Sequence, residues 1–131
     1  MILDTSPLVA ILAQEPDSER YIAAISRAGQ GRCRVSSGTF LELSLVLEGQ
    51  FGAEVLAQGD ALLRRIGVAV EPFTAEHALL ARQAFHDFGK GRHPAGLNFG
   101  DCFAYALAKA TGEPLLYKGE GFHRTDIVSA L

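Results

Sequence analysis

The chain has 131 residues, of which 48% are hydrophobic and 21% charged, and its formal net charge is −3. This length suits one domain over residues 1–131 with a single core. Neither an apolar stretch of membrane-spanning length nor a secretion signal is recognised, so a cytoplasmic protein with no membrane contact is expected. The net charge gives no general attraction to nucleic acid. Cys33 and Cys102 lack the spacing of a metal site and predict free, buried thiols.

Apolar periodicity and capping residues divide the chain into alternating strands and helices. Ser6 is predicted to cap the first helix, with Pro7 in its first position. In chain order, the predicted elements are a strand at residues 1–3, a helix from Pro7, a helix after Asp17, a strand at 32–35, helices at 39–48 and 53–65, a strand at 68–70, a helix after Thr74, a helix over 100–110 and a strand at 114–117. This alternation favours an α/β domain with a mostly parallel sheet, in which sites form at the carboxyl ends of the strands.

Three carboxylates lie close to predicted element boundaries: Asp4 after the first strand, Glu42 in an apolar helix, and Asp101 in the first turn of the last helix. Each has a structural alternative, because Asp4 suits a turn, Thr39 and Glu42 have capping-box spacing, and Asp101 suits the helix dipole. If the three acids converge, a hard cation such as Mg²⁺ or Mn²⁺ is the natural counter-charge, since none has a basic neighbour in the sequence. Such a site is suited to phosphodiester hydrolysis.

A loop rich in Gly and Pro, residues 88–99, leads directly into the helix that begins near Asp101. Its basic side chains are candidates for binding a phosphate backbone, and solvated surface charges are the alternative. Phe99 and Tyr105 are predicted to be core residues in preference to platforms for bases. The candidate backbone contacts are Lys90, Arg92, His93 and, after the last strand, Lys118, with Arg82 and Asn98 as weaker candidates.

The stretches ILDTSPLVA at residues 2–10, GRHPAGLNFGDCFAYA at 91–106 and PLLYKGE at 114–120, with the helix containing Glu42, resemble the PIN-domain ribonuclease toxins of the VapC type. The resemblance covers essentially the whole chain. It implies a three-layer α/β/α fold and RNA cleavage with one or two Mg²⁺ or Mn²⁺ ions. It also implies that Asp4, Glu42 and Asp101 bind metal and that Ser6 orders the site by hydrogen bonding. The implied partners are RNA, a cognate VapB-type antitoxin and a second copy of the chain in a homodimer.

The sequence departs from this family after the last predicted strand. The acidic positions expected near Phe122 are occupied by Gly119 and Gly121. Glu120 or Asp126 could supply a fourth metal ligand, or the site could have three acids only. Two other function classes remain open: an aspartyl-phosphate phosphotransferase or phosphatase acting through Asp4, and a non-catalytic α/β module that binds a partner.

Overall fold

A computed structural model describes residues 1–131, and its elements follow the predicted alternation. The strands are β1 (Ile2–Leu3), β2 (Arg34–Ser36), β3 (Ala69–Glu71) and β4 (Leu115–Leu116). The helices are α1 (Thr5–Leu12), α2 (Ser18–Ala28), α3 (Ser37–Phe51), α4 (Ala53–Ile66), α5 (Ala75–Phe88) and α6 (Phe99–Thr111), and a 3-10 turn covers Phe122–Arg124.

The four strands form one parallel sheet in the order β3-β2-β1-β4. Ile2 lies opposite Arg34 on one side and Leu115 on the other, so β1 is central. Because all the strands run the same way, the segments that follow β1, β2 and β4 emerge at one edge of the sheet. Asp4, the start of α3 and Lys118 therefore lie along that edge.

Successive residues of β1 and β4 pack against opposite helical layers, as the pleat of a strand requires. Leu3 and Leu116 join a core cluster with side chains from α1, α2, α3 and α4. Ile2 and Leu115 join a second cluster with side chains from α5 and α6. All four strand residues are fully buried. The sheet is thus the middle of three layers, which confirms the predicted α/β/α architecture.

The first helix begins two residues earlier than predicted, and Asp4, not Ser6, is its N-cap. Helix α1 begins at Thr5, and its N-cap is Asp4, whose carboxylate accepts a hydrogen bond from the backbone N–H of Ser6. Aspartate is a good N-cap because its short side chain reaches the free amide of the second helical residue. Pro7 therefore occupies the third helical position.

The capping box between Thr39 and Glu42, the structural alternative for Glu42, does not form, and the predicted helix start at Thr39 lies two residues inside the helix. Helix α3 begins at Ser37, and the side chain of Ser36 accepts the capping hydrogen bond from Gly38. Thr39 consequently lies inside the helix, one turn before Glu42. The backbone amide of Glu42 already donates within the helix, so the Thr39 side chain has no free amide to cap. The Glu42 carboxylate is therefore not used in a helix cap.

The predicted state of the two cysteines is confirmed by the fold. Cys33 and Cys102 are buried, free thiols. No helix combines the length and apolar character that crossing a membrane requires.

Candidate active site at the carboxyl edge of the sheet

Asp4 is a buried carboxylate held from one side only. It is 4% exposed, and its Oδ2 accepts hydrogen bonds from the Ser6 hydroxyl at 2.6 Å and the Ser6 backbone N–H at 3.2 Å. Its Oδ1 is buried with no hydrogen-bond partner in the chain. A buried carboxylate oxygen without a partner is costly, because it has lost water and gained nothing in exchange. This oxygen is the clearest sign that a further group binds here.

Ser6 connects Asp4 to the end of strand β4. Its hydroxyl oxygen accepts the backbone N–H of Lys118 at 2.9 Å while the same hydroxyl donates to Asp4. Because this donor is a main-chain amide at the end of a buried strand, it fixes the hydroxyl on a rigid element. The chain thus fixes the orientation of the Asp4 carboxylate through two successive hydrogen bonds.

Glu42 reaches the same edge from α3, and two neighbours position it. Its carboxylate accepts a hydrogen bond from the hydroxyl of Thr5, the residue after Asp4. It also lies against Gly100 of α6, where a Cβ atom would fall 1.5 Å from Glu42 Oε2. Only a residue without a side chain leaves room for the carboxylate. The first turn of α6 is thereby shaped around Glu42.

Asp101 lies in the first turn of α6, and one of its oxygens closes a capping box. Its Oδ2 accepts the backbone N–H of Asn98, and Asn98 Oδ1 accepts the backbone N–H of Asp101, both at 2.9 Å. The box fixes the rotamer of Asp101. Its second carboxylate oxygen has no hydrogen bond within the chain. Helix capping therefore uses one oxygen of Asp101 and leaves the other available.

The three carboxylates share one electrostatic environment. Burial raises the pKa of Asp4 to about 6; the hydrogen bonds from Ser6 oppose this rise, and the charges of Asp101 and Glu42 add to it. Burial also raises the pKa of Asp101, with a further contribution from Glu42. Like charges disfavour ionisation when they lie close together. The acids predicted from the sequence are thus brought together at one place.

The chemistry of this cluster fits a hard divalent cation. Its donors are carboxylate oxygens, which Mg²⁺ and Mn²⁺ prefer, and none of the ion pairs in the chain brings a Lys or Arg to these acids. In the present rotamers, no group of three or more Asp, Glu, His or Cys side chains forms a complete metal-ligand set. Glu42 accepts its hydrogen bond from Thr5 with Oε1 and Asp101 accepts that of Asn98 with Oδ2, and the second oxygen of each carboxylate has no hydrogen bond within the chain.

The two candidates for a fourth acid lie in different surroundings. Asp126 accepts hydrogen bonds from the Tyr105 hydroxyl and the Lys109 ammonium, each at 2.8 Å, so both of its oxygens are already engaged. Glu120 is exposed, follows Gly119 in the turn after β4, and has no hydrogen bond or ion pair. Asp126 therefore has a structural role that accounts for it.

Lys118, a predicted contact for RNA, makes two ion pairs within the chain. Its ammonium forms ion pairs with Glu15 and with Asp17, the latter at 2.8 Å. Asp17 in turn makes no capping hydrogen bond to α2, contrary to the sequence prediction. Hydrogen bonds to Asp17 and Glu15, together with the negative charges of these carboxylates, stabilise the ammonium and raise the pKa of Lys118. These ion pairs link the segment between α1 and α2 to the residues that follow β4.

The basic residues of the loop before α6 are more accessible. Lys90 is exposed, and its ammonium makes no hydrogen bond or ion pair within the chain. Arg92 is exposed and its guanidinium donates to the carbonyl of His86 at 3.4 Å. His93 is half-buried, with its ring edge-on to Phe88 and its Nδ1 accepting the Ala95 N–H. Lys90, Arg92 and His93 thus remain candidates for a phosphate backbone, and His93 also stabilises the loop.

Sequence reasoning missed two residues that shape the site and the capping role of a third. Thr5 and Gly100 position Glu42, and neither gave a local signal, because each acts on a residue distant in sequence. Asn98, a weak candidate for RNA contact, also caps α6. Its spacing to Asp101, with two residues between, is that of a capping box and could have been recognised.

Comparison with known proteins identifies a family model and similar proteins that match nearly the whole chain. The family model described as PIN domain matches residues 1–128. Ribonuclease VapC30 of Mycobacterium tuberculosis is 48% identical over 129 residues, which cover 98% of this chain and 97% of that protein. Ribonuclease VapC of Mycolicibacterium smegmatis is 46% identical, with 98% of each chain covered.

Solved structures with low sequence identity share the fold. Mycobacterium tuberculosis VapC20, described as a toxin that cleaves the sarcin-ricin loop, superposes with a TM-score of 0.72 at 19% identity, over 97% of this chain and 95% of that one. VapBC2 from Rickettsia felis, bound to a DNA fragment from its promoter, gives a TM-score of 0.73 at 16% identity, over 98% and 94%. At these identities the likeness supports the three-layer architecture alone.

Proposed function

The chain belongs to the PIN domain family, and we propose that it is a metal-dependent endoribonuclease and the toxin of a toxin–antitoxin pair. Its relatives at 48% and 46% identity over nearly their whole length are ribonucleases by name. RNA is accordingly the substrate class. The proposal assigns the chemistry to Asp4, Glu42 and Asp101.

One observation carries this assignment. The buried Asp4 leaves one oxygen without a partner, and the acids whose charges act on it are Asp101 and Glu42. Helix capping accounts for one oxygen of Asp4 and one of Asp101, and it accounts for nothing at Glu42. A module that used its acids only as caps would leave this arrangement unexplained. A phosphorylated Asp4 is also disfavoured, because its side chain is almost entirely buried.

Bound Mg²⁺ or Mn²⁺, as one or two ions, would supply charge stabilisation on the phosphate and lower the pKa of a water that attacks it. The chain itself supplies orientation. Ser6, fastened to β4, holds Asp4; Thr5 and the space at Gly100 hold Glu42; and Asn98 holds Asp101. No His or Lys lies among these acids to act as a general base, so the carboxylates are the groups that would orient the attacking water.

The partners follow from the same assignment. Two structural neighbours are toxin–antitoxin assemblies, one from Klebsiella pneumoniae and one from Rickettsia felis. By analogy, we expect this chain to bind a VapB-type antitoxin, to form a homodimer and to act in the cytoplasm on RNA. Leu41 and Leu45 of α3 are more than half exposed, which leaves apolar surface available for such contacts.

The proposed activity is tested by offering single-stranded RNA to the purified chain, freed of any antitoxin, with Mg²⁺ or Mn²⁺. Cleavage that a chelator stops, and that Asp101→Asn and Glu42→Gln each reduce by roughly 100-fold or more, is the expected result. Glu48→Gln, an exposed acid on the same helix as Glu42, is the matched control. Cleavage that continues unchanged in Asp101→Asn would remove the assignment.

The role of Asp126 gives a separate prediction. Asp126→Ala is expected to lower the free energy of unfolding by about 1 kcal/mol, because the buried Tyr105 hydroxyl loses its acceptor. RNA cleavage is expected to stay near that of the parent, also when Glu120→Ala is added. Chemical denaturation and the RNA assay measure the two effects. A large loss of cleavage in the double variant at unchanged stability would instead show that a fourth acid takes part.

A further inference from the structure

An aromatic groove adjoins the acidic site on its α6 side. It lies between α5 and α6, has a volume of about 590 Å³, and is apolar except for one residue. Helix α6 contributes to both features, since Asp101 and the groove residue Cys102 are consecutive. The side chains that define it, called the aromatic groove below, are Phe73, Ala81, Arg82, Phe85, Phe99 and Phe103.

Phe99 is the anomaly in this groove. The sequence predicted a core residue, yet its side chain is 81% exposed, the most open of the large apolar residues. It occupies the first position of α6, two residues before Asp101. Its ring meets Phe103 edge-to-face, with centroids 5.0 Å apart and planes at 83°. Most of the Phe99 ring therefore remains free to contact another planar group.

The other aromatic candidate from the sequence is not available in this way. Tyr105 is 6% exposed, packs in the core, and donates its hydroxyl to Asp126. The rings of Phe73 and Phe103 pack edge-to-face with centroids 4.7 Å apart, and Phe103 is the ring that contacts Phe99. Phe99 is thus the most exposed aromatic ring of the groove, and it stands in the same first turn of α6 as Asp101.

The charge of the groove points to an anion. Arg82 is its only charged residue, and the ion pairs of the chain's Lys and Arg side chains involve Arg34, Lys109 and Lys118 only. Arg82 is exposed and has no carboxylate partner. Lys90 and Arg92 add positive charge on the loop that leads into α6. An aromatic platform beside unpaired cations is the combination that binds single-stranded nucleic acid.

We infer that Phe99 stacks on an RNA base flanking the phosphodiester bond at the acidic site, and that Arg82 contacts a phosphate of the same strand. This inference rests on the proposed ribonuclease function. Because the groove offers almost no hydrogen-bonding groups to a base edge, the stack tolerates any base and contributes affinity and register, not sequence discrimination. A protein segment would also suit the apolar lining, but it would not explain the unpaired cations or the position next to Asp101.

Binding is measured with a fluorescent single-stranded RNA of about 12 nucleotides, in an Asp4→Asn background so that the RNA stays intact. Adding Phe99→Ala is expected to weaken binding by roughly tenfold, the usual effect of losing one base–aromatic stack, and Phe99→Trp is expected to retain it. Leu79→Ala is the matched control, since Leu79 is an exposed apolar residue of α5 outside the groove. Arg82→Gln is expected to reduce the salt dependence of binding by about one phosphate contact.

Abasic substitution along the RNA locates the stack. At one position, removing the base should weaken binding to the protein with Phe99 and have no effect on the Phe99→Ala protein. Unchanged affinity in Phe99→Ala overturns the inference. So does a change in sedimentation mass at unchanged RNA affinity, which would identify the groove as a protein interface. Cleavage by the Asp4→Asn protein would instead show that the proposed function has failed, whatever the effect of Phe99.

Discussion

Replacing Asp4 with Asn is expected to abolish RNA cleavage, by on the order of 10³-fold or more, and at the same time to stabilise the metal-free chain near pH 7. Asn retains an oxygen that can accept the hydrogen bonds from Ser6, and it removes the buried negative charge. Its amide can donate toward the side occupied by Asp101 and Glu42. Loss of function with a gain of stability distinguishes an active-site acid from a structural cap.

The expected gain in stability of Asp4→Asn follows from the raised pKa of Asp4, which also makes the stability of the parent chain depend on pH. Because the pKa of Asp4 is raised from 3.8 to about 6, the folded chain keeps a proton on Asp4 between these two pH values, where the unfolded chain has already released it. The stability of the metal-free chain should therefore fall as pH rises from about 4 to about 6, by on the order of 3 kcal/mol for this group. Asp4→Asn should flatten that dependence.

Urea denaturation at pH 4.5 and pH 7, without divalent ions, measures both effects. Glu48→Gln, on the surface of α3, is expected to leave the pH profile unchanged. If Asp4→Asn were less stable than the parent at pH 7, the carboxylate would be acting chiefly as the cap of α1, and its burial would not carry the cost inferred here.

Replacing Gly100 with Ala is expected to cause a second large loss of RNA cleavage. The added Cβ would stand 1.5 Å from Glu42 Oε2, so the carboxylate must leave its position. Displacing a catalytic group by about 1 Å can cost roughly 100-fold in rate, and this is the loss expected for RNA cleavage. Gly100 lies within the first turn of α6 with an ordinary helical backbone, so alanine should maintain the stability of the helix or raise it by up to about 1 kcal/mol.

Gly49→Ala provides the comparison, because Gly49 is also helical and no atom lies within 4 Å of the place that its added Cβ would take. That variant should keep its activity while gaining helix propensity. Cleavage rates and denaturation midpoints of the two variants are measured side by side. Full activity in Gly100→Ala would mean that the observed position of Glu42 is not needed for catalysis.

The fold and the acids of the site were accessible from the sequence for a physical reason. Strand and helix periodicities are local, and Asp4 and Asp101 lie directly at element boundaries, where a parallel sheet places functional residues. The two helix starts were misread because Ser6 and Thr39 also suit caps, and the choice depends on backbone geometry that residue type does not specify.

Contacts between distant segments could not be predicted in this way. Lys118 is separated from Glu15 and Asp17 by about a hundred residues, and only the finished sheet brings them together. The same holds for Thr5 and Gly100 beside Glu42. The prediction that Phe99 is a core residue was wrong for another reason. Aromatic residues near apolar helices are usually buried, whereas Phe99 stands at the exposed end of its helix.

The most direct test of the central claim is a titration of the purified chain with Mn²⁺, in which the free ion is followed by electron paramagnetic resonance. The chain is expected to bind at least one ion, and Mg²⁺ should compete for the site. Asp4→Asn and Asp101→Asn should each weaken binding by more than about tenfold, and Glu48→Gln should not. Absence of Mn²⁺ binding, or equal affinity in Asp4→Asn, would contradict a metal site built from Asp4, Glu42 and Asp101.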